Sequence, residues 1–134
     1  MSPAASLRVL YVEDDRINIV LMEEVFRRLP GWLLECAEDG AQALAVLADI
    51  ARPLPDLLLV DMNLPDMSGL ALLQAVRADG RLAGLNCVAL SADDHSAQVA
   101  AACAAGFSDY WVKPIDVLRL TDALQAVAVR IKGA

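Results

Sequence analysis

LLLVDMNLPDMSG, Leu57 to Gly69, begins as an unbroken apolar run and ends in an acid, Asp61, before a loop carrying Pro65 and Gly69. A strand buried on both faces of a parallel sheet has this continuous character, since neither face may present polar side chains. The residues after it, from about Gly69 to Ala78, have the periodicity of a helix. Strand, loop and helix in that order form the repeating unit of an α/β sheet.

The same unit recurs on both sides. LRVLYV (Leu7 to Val12) stops at Glu13, Asp14 and Asp15, and from Arg16 to Leu29 the residues Ile17, Val20, Leu21, Val25 and Leu29 recur at helical spacing. Pro30-Gly31 ends that helix. Leu33 to Ala37 is a second short strand. After the Asp39-Gly40 turn, Ala41 to Ala51 reads as a helix with Leu44, Leu47 and Ala48 inward, followed by a loop at Pro53 and Pro55. Asn86 to Leu90 is a fourth strand, with Ser91 at its end. Ala97 to Ala105 is an Ala-rich helix closed by Gly106. Tyr110 to Val112 is the fifth strand, followed by Lys113-Pro114. Asp116 can cap a last helix with Val117, Leu120, Leu124, Val127 and Ile131 on one face. Five strands alternating with five helices predict one parallel sheet covered on both sides, with right-handed crossovers.

A chain of 134 residues suits a single compact domain, and its 57% apolar content fills one substantial core. The net charge of −7 argues against direct contact with nucleic acid or an anionic membrane. Cys36, Cys87 and Cys103 are far apart and lie in apolar surroundings, so buried free thiols in a reducing cytoplasm are expected rather than zinc or disulfides. No apolar run reaches membrane-spanning length, and MSPAASLR lacks a signal-peptide core.

Ligands of open α/β sheets bind beyond the carboxyl ends of the strands. Those ends carry Glu13, Asp14 and Asp15 after the first strand, Asp61 after the third, Ser91 after the fourth and Lys113 after the fifth. One such polar residue is ordinary solvated surface. Four strands delivering one to a single edge, each straight after a buried run, is not. Crowded carboxylates hold protons unless a cation neutralises them. Hard oxygen ligands suit Mg²⁺. A lysine and a hydroxyl beside the metal complete a cradle for a phosphoryl group, with Asp61 as the carboxylate nucleophile.

VEDD (Val12 to Asp15), LLLVDMNLPDMSG, ALSAD (Ala89 to Asp93) and YWVKP (Tyr110 to Pro114) stand in the order and spacing of one family. Over nearly its whole length the chain resembles the receiver domain of two-component response regulators. The resemblance implies a flavodoxin-like sheet in strand order 2-1-3-4-5, one receiver over residues 1–134 and a core from about 7 to 131. It implies Asp61 as phosphoacceptor and metal ligand, Asp14 as direct ligand of Mg²⁺ (or Mn²⁺), Glu13 acting through water and Asn63 offering its backbone carbonyl. Ser91 would be the switch hydroxyl, Tyr110 the switch aromatic, and Lys113 the phosphate-binding lysine ahead of a cis bond to Pro114. The donor would be a histidine kinase or histidine phosphotransfer protein, and the output a protein effector reached through the face of the fourth helix, fifth strand and fifth helix. Such a domain catalyses only its own phosphorylation and dephosphorylation.

Some positions are open or depart from the pattern. Ser68 stands where relatives often have Asp, and Asp15 adds a third acid, expected to point outward. Asp93 would either orient an attacking water or cap the following helix. Trp111 is expected under the last helix and Trp32 over the end of the first. His95 has no assigned role. A haloacid-dehalogenase-like phosphatase would need an acid where Asn63 stands. An FMN carrier would need a hydroxyl- and Gly-rich loop in place of the three acids. An unphosphorylated pseudo-receiver would be expected to lack the acids, Ser91 or Lys113.

Overall fold

A computed structural model of the chain describes residues 6–133, so Met1 to Ala5, ahead of the expected core, and Ala134 lie outside the described residues. The elements alternate as the sequence predicts: β1 (Arg8–Val12), α1 (Arg16–Arg27), β2 (Leu33–Ala37), α2 (Gly40–Ala48) and β3 (Leu57–Asp61). They continue with α3 (Gly69–Ala78), β4 (Asn86–Ser91), α4 (Ser96–Ala105), β5 (Asp109–Val112) and α5 (Val117–Lys132). The sheet runs β2-β1-β3-β4-β5 with every pair parallel.

Alternation along the central strands feeds two cores. Leu10, Val12, Leu58 and Val60 point into a cluster closed by α2, α3 and α4, while Val9, Tyr11, Leu57 and Leu59 enter one closed by α1 and α5. All five residues of β3 are buried, which is why its sequence shows no polar alternation. Trp111 packs on the α1/α5 side and Tyr110 on the other, as strand alternation requires. Trp32 meets Phe26 edge-on at 6.0 Å and so covers the end of α1.

Three expectations are corrected. On α1 the buried stripe is Met22, Val25 and, just past the helix, Leu29, whereas Ile17 is 71% exposed and Val20 52%. The first turn of α1 stands at the carboxyl edge of the sheet, where the described residues leave Ile17 largely uncovered. On α2 the buried residues are Gly40, Ala43 and Leu47, Leu44 packs partly buried against the same core, Ala48 is exposed, and the helix ends there, short of the expected Ala51. The helix starts one residue earlier than predicted because Asp66, from the β3–α3 loop, accepts the N–H groups of Gly40 and Ala41 at 2.9 Å each. Of the three thiols only Cys87 is buried; Cys36 is half-buried and Cys103 exposed.

Gly69 opens α3 where the chain runs back against β3. A Cβ there would lie 2.9 Å from Met62 Cα and 3.2 Å from the Asp61 carbonyl oxygen, both backbone atoms that cannot rotate away. Gly69→Ala is therefore expected to cost roughly 1–3 kcal/mol through forced displacement of the Asp61 loop. A urea midpoint equal to that of the wild type would refute it.

Candidate functional site

β1 and β3 are neighbours, but their following helices pack on opposite sides of the sheet, which opens a crevice at their carboxyl ends. Asp61 is the last residue of β3 and is 5% exposed; Glu13 follows β1 and is 1% exposed; Ser91 ends β4 and is 2% exposed. Carboxylate oxygens of Glu13, Asp14 and Asp61 come within 4.8 Å of one another. Lys113, just past β5, places Nζ 2.8 Å from Glu13 Oε1 and 3.5 Å from Asp61 Oδ2. The Lys113–Pro114 peptide is cis, as the resemblance implies. Residues 100 positions apart thus converge on one edge of the sheet.

Electrostatics follow from that crowding. Burial pushes the Asp61 carboxyl up to about 6, and the neighbouring Glu13 carboxylate pushes the same way against the Asn63 N–H and Lys113. Glu13 is also buried, yet hydrogen bonds from Asp61, Lys113 and Tyr11 outweigh burial and hold it below the usual range. Three carboxylates face one ammonium, two of them are out of water, and Asp61 is driven toward its protonated form. A divalent cation with hard oxygen ligands relieves this imbalance, so the donor set fits Mg²⁺.

The loops supply the rest. Asp61 Oδ1 accepts the Asn63 N–H at 3.0 Å. Asp15 points outward and caps α1, accepting from the Ile17 N–H at 2.9 Å. Ser68 caps α3 through the Ala71 N–H at 3.1 Å, a task a hydroxyl performs as well as a carboxylate. Ser91 Oγ accepts the Asp93 N–H at 3.0 Å. The Tyr110 hydroxyl donates to the Asp93 carbonyl. Asp93 caps no helix: its side chain accepts from the His95 backbone N–H and pairs with the ring, and His95 occupies the N-cap position of α4. Two further participants do not follow from motif or periodicity. Asp66 clamps α2, and Tyr11 donates its hydroxyl to Glu13 Oε1 at 2.8 Å. The sequence signal for Tyr11 is its place two residues before Glu13, on the same side of the chain.

A doubly wound parallel sheet carrying an acid pair, a third acid, a hydroxyl and a lysine on its carboxyl edge defines a signalling-domain architecture. The family model of the response regulator receiver domain matches residues 9–125, and the chain belongs to that family. It is 32% identical over 127 residues to the chemotaxis protein CheY of Pseudomonas aeruginosa, covering 95% of this chain and 100% of that protein. It is 34% identical to the probable transcriptional regulatory protein TcrX of Mycobacterium tuberculosis, covering 91% of this chain but 50% of that longer protein. Among solved structures, a putative response regulator from Chloroflexus aurantiacus superposes with TM-score 0.82 at 28% identity, over 93% of this chain and 99% of the other. The Mn²⁺-bound form of response regulator Rcp1 superposes with TM-score 0.78 at 25% identity, over 92% of each chain. The protein is a receiver domain of the two-component type, a signalling domain. Among the described residues no helix is long and apolar enough to cross a membrane.

Proposed function

We propose that Asp61 is the phosphoacceptor, taking a phosphoryl group from a phosphohistidine of a histidine kinase or a histidine phosphotransfer protein. The observation that carries this is the convergence of Glu13, Asp14, Asp61, Ser91 and Lys113 at one sheet edge. A carboxylate oxygen of Asp61 attacks phosphorus, the P–N bond to the donor imidazole breaks, and its electron pair returns to the ring nitrogen. Asp14, Asp61, the Asn63 carbonyl and, through water, Glu13 would hold Mg²⁺ (or Mn²⁺), which when bound supplies charge neutralisation for the transferring group. The Mn²⁺ of the structurally similar Rcp1 supports this assignment.

Lys113 lies 3.5 Å from Asp61 Oδ2, within a small side-chain movement of an arriving phosphoryl oxygen. The Ser91 hydroxyl can leave the Asp93 N–H to donate to another such oxygen. Tyr110 is tied to Asp93 as well, so a movement of Ser91 is felt in the loop leading to α4 and on the face formed by α4, β5 and α5. That face would meet a downstream protein effector. The exposed Ile17, in the first turn of α1, offers the donor protein an apolar contact beside the crevice. The reading places one receiver over residues 1–134, active in the cytoplasm and without direct nucleic-acid or membrane contact. It catalyses only its own phosphorylation and dephosphorylation.

Incubation with acetyl phosphate and Mg²⁺ should add one phosphoryl mass to the intact wild-type protein and none to Asp61→Asn. An unlabelled wild type, or equal labelling of the variant, would refute the assignment.

A further inference from the structure

Tyr11 is wholly buried among apolar neighbours of the α1/α5 core, including Val9, Leu57 and Leu59. A phenylalanine would fill that space equally well, and a buried hydroxyl is costly unless it is bonded. The Tyr11 hydroxyl meets its requirement at one place, Glu13 Oε1, at 2.8 Å. Lys113 Nζ reaches the same oxygen at 2.8 Å, nearer than its 3.5 Å approach to Asp61. Oε1 thus has two donors, one on a fixed ring and one on a flexible chain. The other oxygen of Glu13 faces the Asp15 N–H at a longer 3.3 Å.

A phosphoryl group on Asp61 brings negative oxygens that compete with Glu13 for Lys113. If Lys113 were the sole donor to Oε1, its departure would leave that oxygen of a 1%-exposed carboxylate without a donor, and the long Asp15 N–H contact serves only the other oxygen. Glu13 would then hold the lysine back. We propose that Tyr11 is a positioning residue that keeps Glu13 bonded while Lys113 shifts from Glu13 to the phosphoryl group. This rests on the reading of Asp61 as phosphoacceptor. The tyrosine ring is packed on all sides, so its hydroxyl keeps its place through the shift. On this proposal Lys113 keeps the place on Glu13 that it has in the structure until a phosphoryl group arrives, so Tyr11 favours the phosphoryl-loaded state over the state with metal alone.

The distinction is measurable with beryllofluoride, a phosphoryl mimic, and Tyr11→Phe, which retains the ring and its packing. Calorimetric titration gives two affinities for each protein: Mg²⁺ alone, and beryllofluoride at saturating Mg²⁺. Tyr11→Phe is expected to weaken beryllofluoride binding about tenfold, the scale of one hydrogen bond to a buried charge. Its Mg²⁺ affinity without the mimic should stay within about twofold of wild type, since a donor to Glu13 remains in that state. Unchanged beryllofluoride affinity, or equal losses in both titrations, would overturn the proposal, because a merely structural hydroxyl affects both states alike. Failure of the wild type itself to bind beryllofluoride would instead refute the phosphoacceptor reading.

Discussion

Lys113→Ala is expected to slow phosphoryl incorporation at Asp61 by roughly a hundredfold or more, the usual scale for deleting one preorganised charge from a site of charge development. The physical reason is local. Glu13 and Asp61 are 1% and 5% exposed, and among the described residues Lys113 is the cation paired with both. At those depths solvent screens poorly the charge that builds on the transferring group. Intact-mass time courses with acetyl phosphate and Mg²⁺ measure the effect, and wild-type incorporation by the variant would refute it. The substitution should also alter the resting protein. Breaking one member from a buried ionic cluster commonly costs about 3–5 kcal/mol. Here part of that cost is relieved by Asp61 taking up a proton. The destabilisation should therefore be smaller near pH 5 than near pH 8, which urea midpoints at the two pH values would reveal.

Asp61→Asn is expected to have the opposite effect on stability in the metal-free protein: stabilisation near neutral pH. The Asp61 carboxyl is pushed from 3.8 to about 6 by burial and then by Glu13. The folded state therefore binds its proton more tightly than the unfolded chain does. The stabilisation this provides is complete below about pH 4 and is lost as pH rises through about 6. A carboxyl raised that far changes stability by at most about 3 kcal/mol, and Glu13, held in the other direction, offsets part of it. An amide cannot ionise, so the variant should be more stable than wild type by about 1–2 kcal/mol at pH 7.5, and should lose the decline between pH 4 and 6. Thermal melts in EDTA across that range provide the check. Added Mg²⁺ should raise the wild-type melting temperature at pH 7.5 much more than that of Asp61→Asn, because a ligand that binds the folded state stabilises it. A variant no more stable than wild type in EDTA would contradict the account of Asp61.

Both results bear on what an acid at the end of a buried strand does. Metal-free, Asp61 costs stability, and the cost is tolerated at the carboxyl edge where chemistry can use it. The same logic places the cap residues. Asp15, Asp39, Ser68 and Asp116 each accept a backbone N–H at a helix start, so four of the five helices begin at a residue suited to that task. α4 is the exception, with no side-chain bond at its cap. It follows the loop in which Ser91, Asp93 and Tyr110 are linked, the segment the proposed switch must move.

The linear order of residues was enough to determine the class of fold, because unbroken apolar runs ending in acids are compatible with little except a parallel sheet covered on both faces. It was also enough to bring Glu13, Asp14, Asp61, Ser91 and Lys113 to one edge, since in such a sheet all strand ends point the same way. Tertiary structure decided what depends on the phase of a helix or the reach of a side chain. Periodicity alone could not tell that Ile17 and Val20 lie on the exposed side of α1, as both stripes have helical spacing. It could not show that Asp66 sets the start of α2 from 26 residues away. Nor could it show that Tyr11 and Lys113 share one oxygen of Glu13, which requires three side chains from two strand ends to meet within hydrogen-bond distance. Such contacts are settled by packing, and packing exists only once the chain has folded.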